Sequence, residues 1–235
     1  MAYTPLSAEQ LEELRRFNTP TISNAIEIFN VRPRHEGFLP HTIRAMFPDF
    51  GPIVGYAVTS QTKAAPLTEP AGPDPSPDYY RYVASQPGPK IAVGQDLDNP
   101  PGLGAQFGEV NATIHKTLGC VGHITDGCPR DLDEVRELGF AMFGLNPCVS
   151  HAYVRLVDFG KPVRLAGVEI KPGDLLHADK HGVCLIPAEI APKLADACRE
   201  VERLERPLLE ICRSGAFDLE EYIRRRSDMK AKIRE

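Results

Sequence analysis

The sequence predicts an α/β fold: a parallel βαβ core, an antiparallel β-ribbon after it, and helical extensions at both ends. Three observations predict it. Between residues 53 and 144, short apolar runs alternate with stretches of helical spacing, the rhythm of parallel strands joined by crossover helices. From 153 to 186 the runs shorten and crowd together between glycines, as antiparallel ribbons require. Both chain ends carry apolar residues at helical spacing.

Each element has its own signal. Ser7-Ala8-Glu9-Gln10 is a capping box, followed by Leu11, Leu14 and Phe17 at helical spacing. Thr19-Pro20 starts a second helix with Pro20 at its first position and Ile22, Ile26 and Phe29 on one side. Ile53 to Thr59 reads as a buried strand. Residues 64–89 are proline-rich and predict a long surface loop with a short helix around Tyr79–Ser85. Lys90–Val93 is a strand, and Gly102-Leu103-Gly104-Ala105 opens a helix through about Leu118 that Gly119 stops. Cys120–Thr125 is the next strand, and a helix follows from Pro129 through Val135 to Leu138. Phe140–Gly144 closes the parallel series. The ribbon strands are Tyr153–Phe159, Val163–Leu165, Gly167–Ile170, Asp174–Ala178 and Gly182–Ile186. Ala188–Glu205 is a helix kinked or ended by Pro207, and Leu219 to Ile233 is a charged amphipathic helix.

Composition limits the function. The 235 residues are 42% hydrophobic, enough for one large domain spanning 1–235. The net charge is −5, and the Arg224-Arg225-Arg226 run sits among acids, so nothing offers a basic surface for nucleic acid. No apolar run approaches the roughly 20 residues that cross a bilayer. The six cysteines form no C-x-x-C pair, and no secretory leader opens the chain. A reducing cytoplasm is expected, with the cysteines as small buried apolar residues.

Two junctions draw attention, because ligands of open α/β sheets gather where strands end and helices begin. The first is GLGAQFGE, Gly102 to Glu109. Its glycines allow close backbone approach, and the amides of Gln106, Phe107 and Gly108 could meet a carboxylate. The alternative is a plain glycine-softened turn. The second is TDGCPRD, Thr125 to Asp131. Asp126-Gly127 is turn chemistry, and Asp131 in a first helical turn complements the dipole. Arg130 does not, since a helix start disfavours cations. Its planar fork suits a carboxylate or a 2-oxo acid, and Asp131 offers a hard oxygen to a magnesium-type ion.

Other constellations are weaker. His177, Asp179 and His181 alternate, but Lys180-His181-Gly182 reads as a turn that breaks the face. His115 and His123 read as ordinary helix and strand residues. Lys90 or Lys116 could serve a Schiff-base aldolase only if desolvated, and no neighbour marks either.

The layout of GAQFGE, 20 residues, then an Arg-Asp pair closing DGCPRD resembles the RraA-like family. TPTISNA from Thr19 and PVRLAGVEIKPGDLLHADKHGV from Pro162 to Val183 are similar to that family's second helix and late β-ribbon. The likeness covers most of residues 19–215, leaving 216–235 as a C-terminal helical extension. It implies a fold of the swivelling β/β/α type, trimers or hexamers with sites between subunits, and the chemistry of the class II pyruvate aldolases. Those enzymes act on 4-hydroxy-4-methyl-2-oxoglutarate and 4-carboxy-4-hydroxy-2-oxoadipate.

By that resemblance Asp131 binds Mg²⁺ or Mn²⁺, and Arg130 contacts the 2-oxo acid and stabilises its enolate. Glu109 acts on the ion's water shell, although the family's usual residue there is aspartate. Gln106, Phe107 and Gly108 hold the substrate carboxylate. Glu205, or Glu202 one turn earlier, reaches a neighbouring subunit's site. The expected activity is cleavage of a 4-hydroxy-2-oxo acid to pyruvate or a similar acid, with decarboxylation of oxaloacetate through the same enolate. The rivals are a non-catalytic ribonuclease-modulating member and a related lyase for a different acid.

Overall fold

The computed structural model describes residues 5–67 and 72–234. They fall into two compact units, one formed by Met1–Glu36 with Pro187–Glu235 and one by Gly37–Ile186. Residues 68–71 of the proline-rich segment lie outside the described residues.

The unit of the chain ends is helical. Helix α1 (Ala8–Leu14) carries the expected capping box: the Ser7 hydroxyl accepts from the Gln10 N–H, and the Gln10 side chain accepts from the Ser7 N–H. Helix α2 (Thr19–Ile28) is capped by Asn18, whose Oδ1 accepts the Thr21 N–H at 2.8 Å. Pro20 is therefore its second residue and not its first, which costs nothing because that N–H has no helical partner either way.

The middle unit begins with a two-residue strand that the sequence did not signal, β1 (Arg44–Ala45), and the long β2 (Ile53–Lys63). Helix α3 (Ser76–Ser85) starts three residues earlier than the tyrosine pattern suggested, with Pro77 in its first turn. Then come β3 (Lys90–Asp96), α4 (Glu109–Thr117), β4 (Cys120–Thr125), α5 (Leu132–Leu138) and β5 (Ala141–Gly144). The ribbon strands follow as β6 (Arg155–Phe159), β7 (Val163–Leu165), β8 (Val168–Ile170), β9 (Leu175–Asp179) and β10 (Gly182–Ile186).

The chain then returns to the first unit through a 3-10 turn at Ala191–Lys193, α6 (Leu194–Arg213) and α7 (Leu219–Arg234). Helix α6 starts later than expected and continues past Pro207. Leu194, Ala197, Cys198, Val201 and Leu208 are buried along one stripe on both sides of the proline, and that burial outweighs one lost backbone hydrogen bond.

One sheet organises the middle unit, in the order β1-β5-β4-β3-β2-β9-β10, with β6 also beside β2. Strands β2 to β5 are parallel neighbours in sequence order, so each crossover must cover a sheet face with its helix. The length of β2 is explained by its free edge. Its first half pairs β9 through Ile53–Tyr56, and its second half pairs β6 through Ser60–Lys63. The ribbon therefore extends the same sheet instead of forming a separate one, apart from the β7–β8 hairpin.

Alternate residues feed two cores. Ala57, Ile91, Val93 and Phe143 pack with Val163, Leu165 and Ile170 of the hairpin. Val58, Ala92 and Met142 pack with Tyr79, Val83, Ala112 and Val135 of the helices. The layers are thus hairpin, sheet and helices, the β/β/α order. No helix among the described residues is long and apolar enough to cross a membrane.

Both lysines weighed as Schiff-base candidates cap helix ends. Lys90 is 5% exposed and its ammonium donates to the carbonyls of Val83 at 3.0 Å and Gln86 at 3.1 Å, at the end of α3. Lys116 donates to the Leu138 carbonyl at the end of α5. A cation there meets the negative end of the helix dipole and the carbonyls of the last turn. Lys90→Met is expected to lower stability by about 1–2 kcal/mol, because the Gln86 carbonyl loses its donor and the Val83 carbonyl keeps only the Gln86 N–H at 3.3 Å. Urea unfolding followed by circular dichroism measures this, and an unchanged midpoint would refute the capping role.

Candidate functional site

The site residues meet at the carboxyl ends of β3 and β4. The loop after β3 does not open the helix at Gly102–Ala105 as expected. Residues 102–108 stay irregular, Gly108 is the N-cap, and α4 begins at Glu109. The loop is held from three sides. Asp96 accepts the Gly102 N–H at 2.7 Å, Ala105 N–H donates to the Ser150 carbonyl at 2.9 Å, and Asn111 donates to the Gln106 carbonyl at 2.6 Å. Among the described residues, no acceptor takes the backbone N–H of Gln106, Phe107 or Gly108. Phe107 is 1% exposed as a whole residue, with its side chain in the core.

The loop after β4 is also anchored by buried carboxylates. Asp126 is not a local turn residue. Its Oδ1 accepts the Asp96 N–H at 2.8 Å and its Oδ2 the Ala166 N–H at 3.4 Å. The turn bond comes from Thr125, whose hydroxyl accepts the Gly127 N–H. Burial pushes the carboxyl groups of both Asp96 and Asp126 above the usual range. Cys128 is half-buried, and burial raises its thiol to about 11, which makes it a poor nucleophile. All six cysteines are free, but only Cys120, Cys184 and Cys198 are buried, so the expectation of buried cysteines holds for half of them.

The Arg-Asp pair ends this loop. Helix α5 starts only at Leu132, so Pro129 and Arg130 precede it and Asp131 is its N-cap. Asp131 adopts a left-handed backbone, φ 53° and ψ 48°, and its carboxylate makes no cap hydrogen bond to α5. An L-residue there carries strain of about 1 kcal/mol, although aspartate tolerates it better than most. The carboxylate instead crosses to the other loop. Its Oδ2 accepts the Glu109 N–H at 3.0 Å and lies 3.5 Å from Arg130 Nε. Arg130 N–H donates to the Phe107 carbonyl at 3.1 Å. The two loops are thereby laced together, with Asp131 serving the helix start of α4 and not its own.

Gln106, Gly108, Asn111, Arg130, Asp131 and His151 line one cleft of about 210 Å³. Asn111 and His151 were not singled out in the sequence. Asn111 stands two residues into α4, and His151 sits in an irregular loop whose neighbours Ser150 and Tyr153 bond to Ala105 and Ala64, where no local pattern marks it. A second cleft of about 780 Å³ shares Gln106 and Asn111, and Pro66, Leu67 and residues 72–76 of the proline-rich segment wall it, with Lys63 and Arg155 opposite. Glu109 is exposed; its neighbours Gly108 and Val110 line the first cleft, and Glu109 itself does not. Glu205 is half-buried and Glu202 exposed, both on α6 of the other unit. His177 and Asp179 are buried, and His181 stands in the turn with its Nδ1 3.1 Å from Asp179 Oδ1; the alternating trio does not share a face.

Comparison with known proteins places the fold. The family profile described as RraA-like, Aldolase/RraA, matches residues 19–185. The chain belongs to the RraA-like family. Among curated relatives of this RraA-like chain, a Halalkalibacterium halodurans protein named "Putative 4-hydroxy-4-methyl-2-oxoglutarate aldolase" is 34% identical over 107 residues, 45% of this chain and 49% of the relative. An uncharacterized Methanocaldococcus jannaschii protein is 29% identical over 107 residues, 45% of this chain and 51% of that one. The chain thus spans about half the length of these relatives. A solved structure of an uncharacterized Pseudomonas syringae protein superposes with a TM-score of 0.75 at 24% identity, covering 94% of this chain and 96% of that one. Streptomyces coelicolor RraAS2, described as an unusual member of the RNase ES inhibitor RraA family, gives 0.70 at 24% identity, covering 87% and 98%. These likenesses establish the RraA-like fold.

A metal can be tested against the residues present. Among the described residues, no group of three or more His, Cys, Asp or Glu side chains could hold an ion, so a cation caged wholly by protein does not fit. Asp131 supplies one hard carboxylate, one-third exposed at the cleft, with the Glu109 chain beginning beside it. That set fits a small hard ion that keeps most of its water.

Proposed function

We propose that the protein is a divalent-metal-dependent carbon-carbon lyase. Its substrate is a 4-hydroxy-2-oxo acid, cleaved to pyruvate or a similar 2-oxo acid, and the same site decarboxylates oxaloacetate. One observation carries this reading: Arg130 and Asp131 line a single cleft with Gln106 and Gly108, and the backbone amides of residues 106–108 have no acceptor among the described residues. The aldolase names of relatives point the same way.

Asp131 would hold Mg²⁺ or Mn²⁺, with Glu109 acting on its water shell. Such an ion supplies positive charge where an enolate oxygen develops. The amides of Gln106, Phe107 and Gly108 bind the substrate carboxylate, as free N–H groups at a helix start do. Arg130 orients the 2-oxo group with its planar fork and neutralises the enolate. In cleavage, the 4-hydroxyl proton leaves, the C3–C4 bond breaks, C4 becomes a carbonyl and the electron pair enters the C2–C3 enolate. In decarboxylation the same pair comes from the bond to the departing carboxylate. Glu109, or Glu205 from a neighbouring subunit, supports the base.

Assembly as a homotrimer or homohexamer belongs to the same proposal. Val110 lines the cleft and is 81% exposed, and Val149 and Tyr153 on the loop of His151 are 98% and 68% exposed. Apolar residues so exposed around a cleft fit a surface that another subunit covers.

The test is pyruvate release from oxaloacetate with Mg²⁺, with and without EDTA. Turnover that EDTA abolishes is expected. Its absence, on oxaloacetate and on 4-hydroxy-2-oxo acids alike, would transfer support to a non-catalytic, ribonuclease-modulating role. Arg130→Lys keeps the charge but loses the fork, and turnover should fall roughly tenfold. A variant as fast as wild type would remove Arg130 from the mechanism.

A further inference from the structure

We propose that Asn111 is a positioning residue: it holds the Gln106–Phe107 peptide of the substrate loop in one orientation, and two tyrosines of α3 brace the helix that carries it. Residues 102–108 are irregular, so no ladder of backbone bonds orients their peptides. Each peptide is set by whatever holds its carbonyl, because the C=O and N–H of one trans peptide point opposite ways. Asn111 Nδ2 donates to the Gln106 carbonyl at 2.6 Å. The Arg130 N–H donates to the Phe107 carbonyl at 3.1 Å. The second of these donors is backbone. The first is a side chain, and without it the Gln106–Phe107 peptide is free to rotate. Gln106 on one side of that peptide and Gly108 beyond it both line the smaller cleft, and both would move with it.

The side-chain amide of Asn111 is itself fixed at both ends. The Gln106 carbonyl can only accept, so the nitrogen faces it. The oxygen accepts from the Tyr80 hydroxyl at 3.3 Å, long for a hydroxyl donor. One turn along α4, His115 makes a second tie to α3. Its Nδ1 lies 2.7 Å from the Asn111 backbone carbonyl, which can only accept, so Nδ1 carries the proton. Burial holds the ring neutral, its pKa lowered to about 4. Nε2 therefore accepts from the Tyr79 hydroxyl at 2.9 Å. Adjacent tyrosines of α3 thus grip residues 111 and 115, neighbours on one face of α4. Gln106 and Asn111 line both clefts, so the brace stands where the two meet. The helix of the proline-rich segment acquires a role its composition does not show, stiffening the loop that faces the substrate.

The brace stands by itself; its effect on substrate rests on the lyase reading. Nitrogen-15 NMR of the substrate-free protein reads the brace directly, through the Phe107 amide of the held peptide. Asn111→Leu keeps the bulk and removes the donor, and that signal should shift. Asn111→Leu should also raise KM for oxaloacetate about tenfold with little change in kcat. Tyr80→Phe, the milder change, should move the same signal and raise KM about threefold. Asn111→Asp keeps the shape but turns a carboxylate toward the Gln106 carbonyl. Its KM excess over wild type should shrink as pH falls and the protonated acid regains a donor; a packing role alone would show no such dependence. A Phe107 amide unmoved in both Asn111→Leu and Tyr80→Phe overturns the brace, whatever KM does. A wild-type KM in Asn111→Leu overturns the effect on substrate. If wild type turns over neither oxaloacetate nor 4-hydroxy-2-oxo acids, the lyase reading fails, and the NMR result alone upholds or overturns the brace.

Discussion

Asp131→Ala is expected to lower Mg²⁺-dependent pyruvate release on the order of 10³-fold, because it removes the carboxylate proposed to hold the ion. Asp131→Gly should be just as inactive, yet its stability should stay within about 1 kcal/mol of wild type. Glycine relieves the left-handed strain at φ 53°, and that relief offsets the lost acceptor for the Glu109 N–H. The pair of variants separates function from folding. Isothermal titration with Mn²⁺ and thermal unfolding supply the two readouts. Full activity in either variant, or a loss of several kcal/mol in Asp131→Gly, would show that the carboxylate serves the fold and not a ligand. Asp131 makes no cap bond to its own helix, which is why the functional outcome is expected.

Gly108→Ala should cost on the order of 10²-fold in turnover, since misplacing a reacting group by about 1 Å has that effect. A Cβ on Gly108 would sit 2.1 Å from Asp131 Oδ2, 2.9 Å from its Cγ and 3.1 Å from Arg130 Cγ. The backbone at Gly108 is extended, φ −136°, so any residue could adopt it. Space alone demands glycine. The added methyl must push the Asp131 carboxylate away from the Glu109 N–H, and with it the proposed ion site. Stability should fall by about 1–3 kcal/mol, and Mn²⁺ affinity should drop along with turnover. Wild-type Mn²⁺ binding by Gly108→Ala would mean that the carboxylate can serve from a different position.

The two glycines of the helix-start loops illustrate how far local sequence reaches. GAQFGE and DGCPRD stood out as loops rich in turn chemistry, with a cation where a helix dipole disfavours one. Nothing local shows why Gly108 must be glycine, because the atom that crowds it belongs to a residue 23 positions away. Asp131 looked like a dipole partner of α5, and the structure turns it toward α4. Asp126 looked like a turn residue, and it pins the end of β3. Each reassignment exchanges a partner near in sequence for one near in space. Asn111 and His151 went unremarked for the same reason.

The amino-acid order by itself determined the alternation of strands and helices, the β-ribbon, the capping of α1 and the identity of the Arg130-Asp131 pair. These depend on periodicity and backbone chemistry within a few residues. Tertiary structure alone decided that β9 and β6 share the edge of β2, that α6 continues through Pro207, and that two loops are laced into one cleft. Those outcomes depend on which buried faces and unpaired polar groups meet after the chain has closed, and that pairing is a property of distance in space, which no local window of sequence contains.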